Sequence, residues 1–509
     1  MKKLINLGVG VLFLALSTLH AQSKLIEQDF WKSQPSLASV KAEVNKGFDF
    51  SKTVSMQDPI VYAIRNEAAP EVLTYLLSQP GVDVKKLIVE GRIYLHLAAN
   101  AGQVAAVDAL LNKGSDMYFL DGNGHTAFTF AGFQGHLTPE MIDVFIKHGI
   151  DLKRKYPAKD DANILLIAIP YDKDLTITSY LVAKGLSWNS VDKYGHTAFD
   201  HAAKVGDIKQ FEKLIQLGVK PSDDALLIAA QGTYRSANTL EIFQYLVENL
   251  KLNAKATDKE GKNALHYIAK KRDQQEVVNY FIGKGVDVNK QDLSGTSPFF
   301  IAAGGKNFDV VQAMWSSFQK KNINISNAKG ETILMNAVAS GTAETVALLL
   351  ENGAKAKVTD ARGNTLVYTL LASFPVERKG GRGFRGTIIE KERANFYAKM
   401  DLLQKAGVDF TKVQGNGETA YHLAATKNNL ELLKHLAAYK IPINQKDNEG
   451  ATALHIAALN TDDVAVLHYF VDKGADVTQQ TDFGETAYDL AKENETLKKK
   501  HVNLDFLKP

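Results

Sequence analysis

A four-residue phrase ending in glycine recurs along this chain at a nearly fixed interval. It reads Asp121-Gly-Asn-Gly124, Asp192-Lys-Tyr-Gly195, Asp258-Lys-Glu-Gly261, Asp292-Leu-Ser-Gly295 and Asn327-Ala-Lys-Gly330. It continues as Asp360-Ala-Arg-Gly363, Gln414-Gly-Asn-Gly417, Asp447-Asn-Glu-Gly450 and Thr481-Asp-Phe-Gly484. The glycine-to-glycine steps are 71, 66, 34, 35, 33, 54, 33 and 34 residues. The first two are double steps, and the 54 is one step carrying an insertion. A period of this length demands a stacked array, because a single unit is too small to bury its own apolar face.

Each phrase leads into the same text. Thr126-Ala-Phe128, Thr197-Ala-Phe199, Thr419-Ala-Tyr-His422, Thr452-Ala-Leu-His455 and Thr486-Ala-Tyr488 open a short apolar helix. A small pair follows, such as Ala202-Ala203 or Ala457-Ala458. A second apolar helix then ends in glycine, as in Leu348-Leu-Leu-Glu-Asn-Gly353 and Tyr469-Phe-Val-Asp-Lys-Gly474. The threonine is placed to accept a hydrogen bond from a first-turn N–H. The glycine supplies the left-handed residue that closes a helix. Helices of two to three turns are marginal alone, so stacking must stabilise them.

These motifs resemble the ankyrin-repeat family, whose unit combines a Thr-Pro-Leu-His phrase, an Ala-Ala pair and a Gly-Ala-Asp ending. Ala replaces the family's Pro in most units, and Pro59 and Pro298 keep it. Two units, around Asn163–Ala168 and Ala225–Ala230, lack the glycine phrase. The resemblance implies an all-α solenoid of about thirteen helix–turn–helix units with short β-hairpin-like tips. It also implies action by protein binding.

The expected organisation runs from a signal peptide at 1–21 through an N-terminal half-repeat at 22–57 to repeats over 58–257 and 258–374. A basic insertion follows at 375–395, then repeats over 396–491 and a polar cap at 492–509. Lys2 and Lys3 precede an apolar stretch, Leu4 to Leu16, too short to span a bilayer comfortably. Cleavage after Ala21 would place the mature chain in the periplasm or outside the cell. No cysteine occurs, which excludes disulfides and thiolate metal sites and suits an oxidising compartment. Net charge is +3, and Lys2 and Lys3 account for two of it, so no global attraction to nucleic acid or anionic membrane is expected.

Candidate chemistry is sparse. His96, His266, His422 and His455 hold one position of the repeat phrase and are expected to brace the neighbouring backbone. His125 and His196 instead follow the phrase glycine at a tip. They stand two units apart, about 20 Å at ordinary helix spacing, so one ion cannot join them. No metal site and no cofactor is expected. The insertion carries Arg378, Arg382 and Arg385 among glycines. Gly381-Arg-Gly383-Phe-Arg-Gly386 matches a dinucleotide fingerprint in letters only, because a repeat helix precedes it where a strand is required. The insertion reads either as a solvated basic loop or as a grip on an acidic partner patch. Tyr118 and Tyr194 near tips, and Phe133 on the first-helix face, read as partner contacts or as local packing.

No nucleophile elbow, P-loop or catalytic triad is present. The expected function is that of an exported, non-catalytic, monomeric scaffold. It binds a partner protein through the concave helix face and the tips, without nucleic acid and without stable membrane insertion after cleavage. The alternative is small-molecule binding or hydrolysis by the irregular 360–417 unit.

Overall fold

The computed structural model describes residues 23–54, 57–233, 236–376 and 386–509. The expected signal peptide at 1–21 lies outside them, as do Arg378, Arg382 and Arg385. The chain divides into two compact units. One comprises residues up to 202 together with 209–220, and the other comprises 203–208 together with 221–509.

Both units are built from successive pairs of short helices. In the first unit Ala127–Gln134 is followed by Pro139–Lys147. In the second, Pro298–Ala303 pairs with Phe308–Trp315, and Ile333–Ser340 with Ala343–Glu351. Each pair buries aromatic or branched residues between its two members. Phe128 and Phe145 meet at 4.8 Å, and both are fully buried. No described helix is long and apolar enough to cross a membrane.

No strand occurs among the described residues, but single antiparallel bridges close the tips, as at Ser326–Thr332, Thr359–Thr365 and Gln480–Thr486. The first side chain of the phrase makes most tips, whereas Gln414 turns its side-chain oxygen to Thr365 N at 2.9 Å. Asp292 Oδ1 accepts the N–H groups of Ser294 and Thr296, both at 2.9 Å. Asp258, Asp360 and Asp447 bind their own third and fifth residues in the same way. A short oxygen-bearing side chain is therefore favoured there. The phrase glycine takes positive φ, +76° at Gly295 and Gly330, where a side chain would be strained. Adjacent tips are then laced together. Leu293 N donates to Glu260 O at 2.8 Å, Ala328 N to Ser294 O at 2.9 Å, and Ala361 N to Lys329 O at 3.0 Å.

The repeat histidines brace the array as their position implies. His422 Nδ1 accepts the Thr419 N–H at 3.1 Å, and its Nε2 reaches Ala451 O, in the next tip, at 3.0 Å. His96 and His266 reach His125 O and Thr296 O at 3.0 and 3.1 Å. A ring that accepts at Nδ1 and donates at Nε2 is neutral. Threonine caps the first turn at Thr126 and Thr332. At Thr419 and Thr452 the hydroxyl turns to the histidine ring instead.

Three features depart from expectation. Upstream of the half-repeat helix Leu37–Val44, a short helix Gln28–Lys32 buries Trp31 completely, so the N-terminal segment is a helix pair. The C-terminal cap is not wholly polar, since Leu497 and Leu507 are buried pegs. The insertion is not a loop throughout, because from Gly386 it is helical and runs without a break to Lys405. Phe396, Lys399, Met400 and Leu403 recur at helical spacing on the buried side of this helix.

That helix carries a buried cation. Lys399 is 3% exposed, and its Nζ donates to Val338 O at 2.6 Å. Burial, assisted by the charge of Lys306, pushes its ammonium down to about 8. An unfolded lysine titrates near 10.4. The penalty on the folded state is therefore full below about pH 8 and is relieved as pH rises from there towards 10.4. Lys399→Met is expected to stabilise the protein by about 2 kcal/mol at pH 7, after allowing for the lost hydrogen bond. The gain should shrink above pH 8. Denaturant titrations at pH 7 and pH 9.5 check both size and sign.

Candidate binding surface

The first helices of three successive repeats in the second unit share one lining face. Residues standing one, five, six and nine places after the phrase glycine point into two depressions, each of about 360 Å³. After Gly295 these include Thr296, Phe300 and Ile301, and after Gly330 they are Glu331, Met335, Asn336 and Ala339. After Gly363 they include Tyr368, Thr369 and Ala372. Glu331 and Asn336 line both depressions, which therefore form one groove. The face exists because small residues occupy the helix ends and hydrogen bonds hold the polar ones. Asn336 Nδ2 donates to Phe300 O at 2.6 Å, and Ser340 Oγ to Gly304 O at 2.9 Å. Lys270 and Lys329 in one depression, Asp360 in the other and Glu331 in both give mixed charge.

Phe133 stands nine places after Gly124, in the same register within the first unit. Its ring packs 4.9 Å from His125 and 5.5 Å from Tyr171. His125 is not the exposed tip residue its position implies. It is 5% exposed, lies against Phe130 and Phe133, and its Nδ1 has no hydrogen-bond partner. Burial, with the Lys159 charge second, pushes its imidazolium down to about 4. The turn folds the ring beneath the first-helix aromatics, which letters one repeat long do not reveal. Tyr118 is also taken up locally. The Arg154 guanidinium lies 4.3 Å from its ring centre, and its hydroxyl accepts from Asp151 N at 3.1 Å. Tyr194 is 42% exposed, with Lys193 over its ring at 4.9 Å.

His196 lies in a grouping that the sequence reading missed. Asp192 Oδ2 meets His196 Nδ1 at 2.8 Å and His201 Nε2 at 3.2 Å. Asp192 Oδ1 accepts the Tyr194 and His196 N–H groups at 2.8 and 3.0 Å. Burial alone would raise this carboxyl. Hydrogen bonds from His196, His201 and the Tyr194 N–H prevail and hold it far below the usual carboxylate range. The spacing Asp-x₃-His-x₄-His was the available signal, and His201, one turn into its helix, was the residue overlooked.

The family match agrees with this architecture. A family model described as ankyrin repeats in three copies matches residues 60–156, 202–292, 269–360 and 393–481. The alpha-latroinsectotoxin-Lt1a of Latrodectus tredecimguttatus is 25% identical over 445 residues, covering 82% of this chain and 29% of the toxin. The E3 ubiquitin-protein ligase KEG of Arabidopsis thaliana is 23% identical over 320 residues, covering 57% of this chain and 18% of the ligase. The chain thus spans less than a third of the length of either relative. The crystal structure of the human ASB11 ankyrin repeat domain aligns with a TM-score of 0.38 at 22% identity, covering 47% of this chain and 96% of that domain. The matched segments span most of the chain and contain the phrase, the capping threonines and the bracing histidines, and the chain therefore belongs to the ankyrin repeat family.

Proposed function

We propose that this chain is an exported, non-catalytic scaffold that holds a partner protein along the first-helix face of its repeats. The groove lined by the same positions in three successive repeats carries this reading. A surface repeated in register matches an extended protein segment better than a compact small molecule. Its half-exposed Tyr368, Thr369, Asn336 and Glu331 mix apolar area with hydrogen-bonding groups, as protein-binding surfaces do. The Arg378, Arg382 and Arg385 cluster adds a candidate grip on acidic groups of the partner. The export reading rests on Lys2, Lys3 and the apolar Leu4 to Leu16 stretch.

Ala339 is exposed and sits in the groove, so Ala339→Arg obstructs it with little effect on the core. Cross-linking capture from cell envelopes is expected to yield a protein with the native chain. Yield should fall roughly tenfold with Ala339→Arg, the order of effect of losing one interface anchor. It should also fall when Arg378, Arg382 and Arg385 are all changed to Ala. Equal capture by the native chain and the Ala339→Arg variant sinks the groove reading. Recovery of the chain in the cytoplasm with residues 1–21 still attached sinks export.

A further inference from the structure

We propose that Asp192, His196 and His201 bind a divalent first-row transition metal of the zinc type. This goes beyond partner binding and does not depend on it. The donor set is two imidazoles and one carboxylate, which suits such ions and not magnesium or calcium, whose ligands are oxygens. The three ligand atoms lie within 4.8 Å of one another. Donors held at about 2.0–2.2 Å from a common ion stand roughly 3–4 Å apart. The Asp192 Oδ2 distances of 2.8 and 3.2 Å to the two ring nitrogens are already at that scale.

The carboxylate is fixed before any ion arrives. Its Oδ1 is held by two backbone N–H groups of the tip, and its side chain is 2% exposed. Oδ2 is left facing the two rings. His196 stands in the same tip, and His201 on the helix Ala198–Ala202 that the tip leads into, so one repeat supplies the whole set. The ring side chains are 21% and 20% exposed and supply what solvent access the cluster has. Three protein ligands leave at least one coordination position for water or an incoming donor, as in open rather than closed zinc sites. Both imidazoles must be neutral at the ligating nitrogen, so binding displaces the protons now shared with Asp192.

The test uses the full chain without an affinity tag, stripped of metal and titrated with Co²⁺ and then Zn²⁺. No cysteine is present, so any visible Co²⁺ bands report nitrogen and oxygen ligation alone. One equivalent of Co²⁺ is expected, displaced by Zn²⁺. Affinity should weaken roughly tenfold or more in His201→Asn and further in the His196→Asn, His201→Asn double variant. Uptake equal in the native chain and the double variant, or no uptake at all, overturns the proposal. Should either variant fold poorly by circular dichroism, the native chain still decides the matter. Bound Co²⁺ must broaden the ring resonances of His196 and His201, and leaving them sharp overturns the site.

Discussion

Lowering the pH from 7 to 5 is expected to destabilise this protein steeply, through histidines that sit inside its repeats. Burial is the main cause that lowers the pKa of His96, His125, His266, His422 and His455 below the ordinary value. An unfolded histidine titrates near 6.5. Between the folded and unfolded values the unfolded chain binds more protons, so stability rises with pH across that window. It is complete above about pH 6.5 and is lost as pH falls, for His125 down to about 4. The geometry explains the sign. At His422 and His455 the Nδ1 accepts backbone N–H groups at 3.1 Å, and a proton there sets donor against donor. His125 alone accounts for roughly 3 kcal/mol across its window, and the other four add with the same sign. Unfolding between pH 5 and 6.5 should be accompanied by net proton uptake, read from the slope of stability against pH. Unfolded aspartates titrate near 3.9, below that window. Stability that does not fall as pH drops through that window would falsify this account.

The second large effect is expected at Gly341. Its φ and ψ, −82° and −169°, are open to any residue, so backbone preference does not require glycine there. Packing does. An added Cβ would sit on the Ala303 carbonyl oxygen and 2.9 Å from that of Ala337. The surroundings cannot retreat. Gly341 N donates to Ala337 O at 2.8 Å, while Asn395 Nδ2 donates to Gly341 O at 3.2 Å and Asn395 Oδ1 accepts from Ala343 N at 2.8 Å. Gly341→Ala is expected to cost about 3 kcal/mol, the upper range for forcing one methyl into packed structure. Gly353→Ala is the contrasting case. Its φ of +94° strains an alanine, but nothing lies within 4 Å of the new Cβ, so about 1 kcal/mol is expected. Repeat arrays are stabilised by nearest-neighbour interfaces. Hydrogen exchange should therefore accelerate in Gly341→Ala across Pro298–Ala303 and Ile333–Glu351 before it does so in distant repeats. A smaller loss for Gly341→Ala than for Gly353→Ala contradicts the close approach.

The repeat was legible because its signals act locally. Asp at the head of most phrases binds N–H groups two and four residues on, and glycine at the end takes the left-handed conformation. The bracing role of His96, His266, His422 and His455 was legible too, since one position served one purpose in several units. The long helix from Gly386 was obscured by the arginines and glycines before it. Its stripe of Phe396, Met400 and Leu403 has helical spacing, but the same stripe conceals Lys399, whose burial no local rule announces.

The sequence by itself determined the period, the helix pairs, their caps and hence the family, because turn and capping chemistry is completed within a few residues. Only the tertiary structure decided which side chains at the tips meet a neighbour. It buried His125 beneath Phe133, set Arg154 on Tyr118, and brought His201 to the carboxylate that His196 already touches. It also merged half-exposed positions of separate repeats into one groove. Those outcomes depend on contacts between side chains and between repeats, and a phrase that fixes its own turn does not fix what packs against it.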